Sequence, residues 1–239
     1  MFLENMELKF RIKEISGLDD IQFREAYHIY EKAFTPELRM GLRGFARIIK
    51  AKNQGQCQHI IVAIFNGTVI GMATFGYFQK YNVGFIGYIV ISPKWENRGF
   101  GTKLYQGIVE QLSEDARKNK QPTLTALIYE VEKSELAKTN AEQETDLRRI
   151  RFFKNAGGQI INATYFQPSI GIGLHPVELN LMINVTDPGF IVTKEGLITM
   201  AKSIYENVYG MKPYLPCQNQ KKYLKRFELS LPDSQLLKY

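Results

Sequence analysis

Cysteine, histidine and tryptophan are scarce in this sequence: two, three and one among 239 residues. Cys57 and Cys217 stand far apart with no Cys or His cluster nearby, so two reduced thiols are expected and no disulfide framework. His28, His59 and His175 lack metal-ligand spacing; each reads as structural, and no metal is expected. No apolar run approaches the ~18 residues that span a bilayer. The first ten residues, "MFLENMELKF", carry Glu4 and Glu7 and lack the apolar stretch of a secretory signal. No run of five Lys or Arg, internal repeat or low-complexity segment occurs. No Ser/His/Asp or Cys/His arrangement is visible in the spacing. A cytoplasmic protein without a membrane partner is expected.

What is present suits an ordinary globular chain. Hydrophobic residues make up 44% and charged residues 23%, enough at this length to bury a core without staples. The net charge of +7 suits an anionic small ligand and, equally, nucleic acid. The densest basic patch, "KKYLKR" from Lys221, reads as a solvated face. With no helix-turn-helix, zinc-finger or stacked-aromatic signature, nucleic acid is not expected as a partner.

Periodicity divides the chain. "ELKFRIKEI" alternates and predicts an edge strand. Asp19 or Asp20 caps a helix with apolar Ile21, Ala26, Ile29, Tyr30 and Ala33. A second helix is expected from Pro36 through Leu38, Leu42, Phe45, Ile48 and Ile49. Asn66-Gly67 between β-branched runs predicts a type I′ hairpin. "VGFIGYIVIS" is a buried strand, and a helix follows from Gly99 to about Asn119 with Leu104, Ile108, Val109 and Leu112 on one stripe. "TLTALIYEV" is a further strand. "KSELAKTNAEQET" is polar and aperiodic, a loop or loose helix. Thr145 or Asp146 then caps "LRRIRFFKNAGG", stopped by Gly157-Gly158. "QIINATYFQ" and "VELNLMINV" predict strands, Lys194 to Tyr209 a helix, and "RFELSL" a short strand. The order implies an α/β (α+β) fold, a mixed sheet with helices on both faces.

One stretch carries chemistry: "YIVISPKWENRGFGTKLY", residues 88–105. A strand stops at Ser92-Pro93, and a short glycine-bearing loop enters a helix. The first turn of a helix has backbone N–H groups without intrahelical partners, and the helix dipole adds partial positive charge there. Gly99 and Gly101 let a pyrophosphate approach closely, and Arg98 and Lys103 add charge. Two glycines at a helix start also serve as plain turn residues.

The stretch resembles motif A of the GNAT superfamily of N-acetyltransferases. Ile91-Ser92-Pro93 stands for its V-x-P, and Glu96-Asn97-Arg98-Gly99-Phe100-Gly101 for its Q/R-x-x-G-x-G/A loop, with Glu96 departing from the usual Gln or Arg. "RIRFFKNAGG" resembles motif B: Phe152, Phe153 and Gly157 fall at matching places, and Gly158 replaces an aromatic. The resemblance spans about residues 8–185; "YFQPSIGIGLHPVELNLMI" looks like a feature of a separate branch of the family. It implies residues 1–185 as the acetyltransferase domain and 186–239 as a C-terminal extension packed on it. It also implies a mostly antiparallel sheet with splayed central strands, and acetyl-CoA as cofactor. Ile89, Val90 and Ile91 would pair with the pantetheine, and Glu96, Asn97, Arg98, Gly99, Phe100, Gly101, Thr102 and Lys103 would cradle the pyrophosphate. Partners implied are a small-molecule or protein amine as acceptor, with a homodimer allowed.

Acetyl transfer needs a base for the amine, a donor for the oxyanion, such as the N–H of Ile89, and help for the thiolate. Where motif B often has an acidic tyrosine, this chain has Phe153; where many members have a base glutamate, it has Phe85. Replacements are sought nearby. Glu130 closes the fifth strand and reads as a general base or an amine-binding carboxylate, with a solvated strand-end charge the competing role; Glu132 is a weaker candidate of the same kind. Tyr129 and Tyr165 lie on strands able to face the acyl site, with packing the competing role of each. Glu130 and Tyr165 are taken as catalytic. The alternative function is a GNAT-fold module that binds acyl-CoA with little or no turnover.

Overall fold

The computed structural model describes residues 9–171, 173–210 and 218–232. The first two residues of the expected edge strand, and Cys217, lie outside them. The described residues hold eight strands and six α-helices, arranged as two compact units. The first takes the described residues up to Thr35, Arg39–Gly76 and Ile86–Asp115. The second takes Pro36–Leu38, Tyr77–Phe85 and the described residues from Ala116 onward.

In the first unit, β1 (Phe10–Glu14) pairs antiparallel with β2 (Gln58–Phe65), and β2 with β3 (Thr68–Phe78). Asn66 and Gly67 have φ of 47° and 80°, the left-handed pair that a type I′ turn demands and that these two residue types tolerate. The next strand of the unit belongs to β4 (Val83–Ile91), beside β3. The approach is close: a side chain on Gly71 of β3 would place its Cβ 2.3 Å from the Val90 carbonyl oxygen. α1 (Ile21–Ala33) is capped by Asp20, whose carboxylate accepts from the Gln22 N–H at 2.8 Å. Phe23, Ala26 and Tyr30 on α1 and Phe45 on α2 (Leu42–Asn53) are buried with Ile60, Val62, Ile64 and Met72 of the sheet. α3 (Phe100–Lys118) buries Leu104, Ile108 and Leu112.

The second helix does not start at Pro36, as its sequence suggests. Residues 36–38 form a turn, and α2 begins at Leu42 after Gly41. A helix begun at Pro36 would commit the N–H of Met40 to it. That N–H instead donates to Tyr30 Oη at 2.6 Å and Tyr88 Oη at 3.1 Å, and the Tyr30 hydroxyl donates to the Met40 carbonyl at 3.2 Å. Buried tyrosine hydroxyls need partners, and this backbone provides them.

In the second unit, β8 (Val177–Val185) is the shared strand. It pairs antiparallel with β5 (Ala126–Glu132), from Ala126 opposite Val185 to Glu132 opposite Leu179. It also pairs with β6 (Gln159–Ile160) and β7 (Tyr165–Gln167). The expected single strand "QIINATYFQ" is thus two short ones. Between them the Thr164 N–H donates to the Ser230 hydroxyl at 2.8 Å rather than to a ladder. α4 (Asn140–Asn155) starts earlier than expected, because Thr139 and Glu142 form a capping box. It ends before Gly157, whose φ is 92°.

α5 (Lys194–Asn207) is the expected helix, ending two residues early, with Leu197, Met200, Ala201 and Ile204 buried on one stripe and Val208 exposed beyond its end. "RFELSL" is not a strand; it ends α6 (Gln218–Ser230). A strand would put Phe227 and Leu229 on one face. Here Phe227 is fully buried and Leu229 is 75% exposed, while Phe227 and Leu231, four apart, are both buried. The four-residue spacing reaching back to Tyr223, which stacks on Phe166 at 5.3 Å, wins over a six-residue alternation. Both units combine helices with antiparallel strand pairs, in keeping with the expected class.

Candidate active site

In the first unit, β4 ends at Ile91, and the Ser92 N–H makes a last bond to the Ile70 carbonyl at 2.7 Å. Pro93 opens a 3₁₀ turn, Pro93–Trp95, closed by Trp95 N–H to the Ser92 carbonyl at 2.7 Å. Asn97 and Gly99 then have φ of 58° and 76°. Two left-handed residues in three turn the chain sharply into α3, a backbone form that makes anion-binding concavities. No atom lies within 4 Å of a Cβ built on Gly99, so its glycine answers to backbone conformation and not to crowding.

The first α-helical bond of α3 runs from the Lys103 N–H to the Gly99 carbonyl at 3.1 Å. The N–H groups of Phe100, Gly101 and Thr102 precede it and have no partner inside the helix. Arg98, Thr102 and Lys103 are exposed beside them. The helix start is anchored by Phe100, buried against Phe65, Phe10 and Trp95 with ring centroids 4.8, 5.6 and 6.0 Å away. Trp95 also lies under the Arg98 guanidinium at 5.2 Å, and the Lys103 ammonium lies over Phe10 at 5.6 Å. The expected phosphate residues therefore form one basic, open helix entrance on an aromatic base.

Glu130 belongs to the second unit. It sits on β5 opposite Leu181. The Tyr165 hydroxyl, from β7, donates to its Oε1 at 2.5 Å, and the Tyr209 hydroxyl, two residues past α5, donates to its Oε2 at 2.5 Å. Burial pushes the carboxyl up, against the pull of the two hydroxyls, to about 7. A carboxylate in this condition can both accept and return a proton near neutral pH. Tyr165 is wholly buried, stacked on Tyr205 at 5.6 Å and edge-on to Phe227 at 5.9 Å. Burial, with the charge of Glu130, raises its phenol well above the ordinary value.

The other candidates are engaged elsewhere. Glu132 forms an ion pair with Arg149. Phe85 is buried and stacked on Phe78 at 5.9 Å. Tyr129 is buried against Phe153. A pocket of about 410 Å³ beside Lys133, Ile150, Lys154, Ile160 and Asn180 is lined by neither Glu130 nor Tyr165. His59 lies between Glu14 and Asp115, and among the described residues no group of three His, Cys, Asp or Glu side chains is placed to hold a metal.

Two features escape the sequence reading. Tyr209 comes from a region without a motif, 79 residues from Glu130. Asp146, read as a helix cap, instead lies inside α4, where burial, with the charge of Glu132, raises its carboxyl to about 6. Only the polarity of Asp146 inside a helix, where most neighbours are stripe or surface residues, hints at it.

Residues 22–132 match the model of the acetyltransferase (GNAT) family. No curated protein matches the sequence. Among solved structures, the chain resembles a protein assigned to the GNAT family from Bacteroides thetaiotaomicron, at 19% identity over 84% of this chain and 99% of that one, with a TM-score of 0.61. It resembles a GNAT-family acetyltransferase of Staphylococcus aureus Mu50 at 11% identity, over 75% and 100% of the two chains, with a TM-score of 0.52. It also resembles the PaiA N-acetyltransferase of Thermoplasma acidophilum in complex with coenzyme A, at 11% identity over 74% and 99%, with a TM-score of 0.50. At these identities the structures speak to fold, and they agree with the family match. The segment 22–132 therefore matches the GNAT acetyltransferase family, and the fold of the chain agrees with that match.

Proposed function

We propose that the chain transfers the acetyl group of acetyl-CoA to an amine, with Glu130 as the base. The observation that carries the reading is the buried Glu130 carboxylate, held at both oxygens by tyrosine hydroxyls and raised to about 7. The cofactor's pyrophosphate fits the helix entrance, where Gly99 leaves open space, three N–H groups precede the first helical bond, and Arg98 and Lys103 are exposed. Ile89, Val90 and Ile91 are assigned to the pantetheine, and Glu96 through Lys103 to the phosphates.

Acetyl-CoA supplies an activated acyl carbon and a thiolate leaving group. Glu130 removes a proton from the acceptor ammonium, leaving the nitrogen lone pair free to form the amide bond as the carbon–sulfur bond breaks. Tyr165 can return a proton to the departing sulfur and recover one from Glu130 along their shared hydrogen bond. The ammonium gives up two protons in becoming an amide: one reaches the sulfur through Glu130 and Tyr165, and the second, from the nitrogen of the adduct, leaves to water. General acid–base help of this kind is worth ~10²–10⁴ in rate.

The working domain is assigned to residues 1–185, with 186–239 an extension packed on it. The acceptor is a small-molecule or protein amine, the setting cytoplasmic, and a homodimer is compatible with the reading. Among the described residues no helix is long and apolar enough to cross a membrane.

The test is thiol release from acetyl-CoA over a panel of amines, with coenzyme A binding followed by calorimetry. Glu130→Gln is expected to keep coenzyme A affinity and lose about 100-fold or more in turnover at pH 7. Full turnover in that variant removes Glu130 from the mechanism. Coenzyme A binding without turnover of any amine by the unaltered chain favours a binding module.

A further inference from the structure

Glu130 is held by two phenols of different origin. Tyr165 stands on β7, and Tyr209 follows α5, beyond the segment 22–132 that matches the family. The place of Tyr209 is built by the C-terminal helices. Its N–H donates to the Ile204 carbonyl at 3.4 Å, its carbonyl accepts from Gln220 Nε2 of α6 at 3.2 Å, and its ring lies 6.2 Å from that of Tyr205. α5 is itself fixed by buried Leu197, Met200, Ala201, Ile204 and Tyr205. The hydroxyl therefore reaches Glu130 as part of a packed element.

A carboxylate with a neutral donor at each oxygen is a satisfied anion. If it takes a proton, one oxygen becomes a donor, and the phenol facing it must turn or lose its bond. Each hydroxyl thus favours the ionised form. The groups acting on Glu130 are Tyr165 from β7 and Tyr209 from beyond α5, with burial opposing both; Tyr205 of α5 bonds instead to the Phe166 carbonyl at 2.8 Å.

We propose that Tyr209 is a positioning residue for acetyl transfer: its hydroxyl holds the second oxygen of Glu130 and sets the pH at which Glu130 can take the acceptor's proton. The C-terminal extension is then part of the catalytic machinery and not only a cover for the core. The proposal rests on the reading of Glu130 as the base.

The sign follows directly. Removing the Tyr209 hydroxyl removes a bond that favours the carboxylate, so Glu130 titrates higher. A hydrogen bond to a charged group corresponds to a shift of about one pH unit. The Glu130 carboxyl can be followed in the full chain by isotope-edited infrared titration, identified by its loss in Glu130→Gln. In Tyr209→Phe the titration is expected to move up by about one unit with coenzyme A affinity unchanged, and in Tyr205→Phe to stay in place. 3-Fluorotyrosine introduced at position 209 keeps the shape and strengthens the donor, so it should move the titration down; it also serves if the phenylalanine variant does not fold. An unmoved titration in a folded Tyr209 variant overturns the proposal.

The pH profile of thiol release from acetyl-CoA, with spermidine, tyramine and a short peptide amine as probes, should shift with the titration. If the titration moves while Glu130→Gln turns over fully, Tyr209 does govern Glu130, but the assignment of Glu130 as base fails.

Discussion

Tyr129 and Phe153 lie ring against ring, with centroids 4.0 Å apart and planes inclined by 22°. Phe153 occupies the place where motif B often has a tyrosine, and the stack shows what this chain does with it. The pair is buried, and Gly158 makes room for it: a Cβ there would lie 1.9 Å from the Tyr129 hydroxyl and 2.8 Å from the Phe153 carbonyl. The glycine that replaces an aromatic and the phenylalanine that replaces a tyrosine belong to one packing solution.

Restoring the tyrosine is therefore expected to harm. Phe153→Tyr adds a hydroxyl to a buried stack and should cost ~1–3 kcal/mol, roughly 5 °C in Tm for a chain of this size. No gain in turnover should accompany it. Thermal denaturation and a rate measurement on the same sample check both parts, and a faster enzyme of unchanged Tm would contradict them.

At the helix entrance, Gly101→Glu sets an anion where the pyrophosphate is assigned. Coenzyme A affinity should fall at least tenfold by calorimetry, while Tm changes little. Gly99→Ala probes conformation instead: the φ of 76° disfavours any side chain by about 1–2 kcal/mol. Unaltered affinity in the Gly101 variant would place the cofactor elsewhere.

His59 gives the first unit a dependence on pH. Its ring nitrogens lie 2.6 Å from Glu14 and 2.8 Å from Asp115, and the ring stacks on Phe75. Burial works to lower its pKa, but the hydrogen bonds and charges of Asp115 and Glu14 outweigh it, and the value is raised. A raised base stabilises fully below its unfolded value of about 6.5, and that stability is lost as pH rises through the folded value. For Glu14, burial is outweighed by hydrogen bonds from His59 and Lys52, and its pKa is lowered. Its contribution is present above the unfolded value of 4.5 and is lost as pH falls through the folded one. Urea unfolding should therefore give the highest stability near pH 5.5 and a decline above neutrality. In His59→Gln the decline above neutrality should flatten, with about 3 kcal/mol lost at pH 5.5.

The C-terminal helices should be indispensable to the second unit. Phe227 is wholly buried against Tyr165, so Phe227→Ala should cost about 3–5 kcal/mol. A chain ending at Asn184 loses both helices and exposes Tyr165, and it should be insoluble or melt far lower. An unchanged Tm after truncation would show that this packing contributes nothing.

The contrast between the helix entrance and Glu130 shows what the sequence alone could tell. The helix entrance, from Ser92 to Lys103, is local: strand end, glycine conformation and helix start follow one another within a dozen residues, so residue order alone specifies them. The Asn66-Gly67 hairpin and the apolar stripe of α5 are local in the same sense. Pro36 and "RFELSL" misled because their local preference was weak. Tyrosine hydroxyls claimed the backbone at Met40, and burial of Phe227 with Leu231 imposed a helix.

Glu130 was recognisable as a polar residue near the end of a buried strand, which in the structure runs on to Glu132, but its proton affinity was not. That property depends on hydroxyls 35 and 79 residues away and on the burial they share. Neither distance leaves a periodic trace in the chain. Sequence by itself determined most of the elements, the hairpin turn and the glycine-bearing helix entrance, because backbone conformation answers to neighbouring residues. Only tertiary structure decided that Tyr165 and Tyr209 meet on one carboxylate, because desolvation and hydrogen bonding act between groups that folding alone brings together.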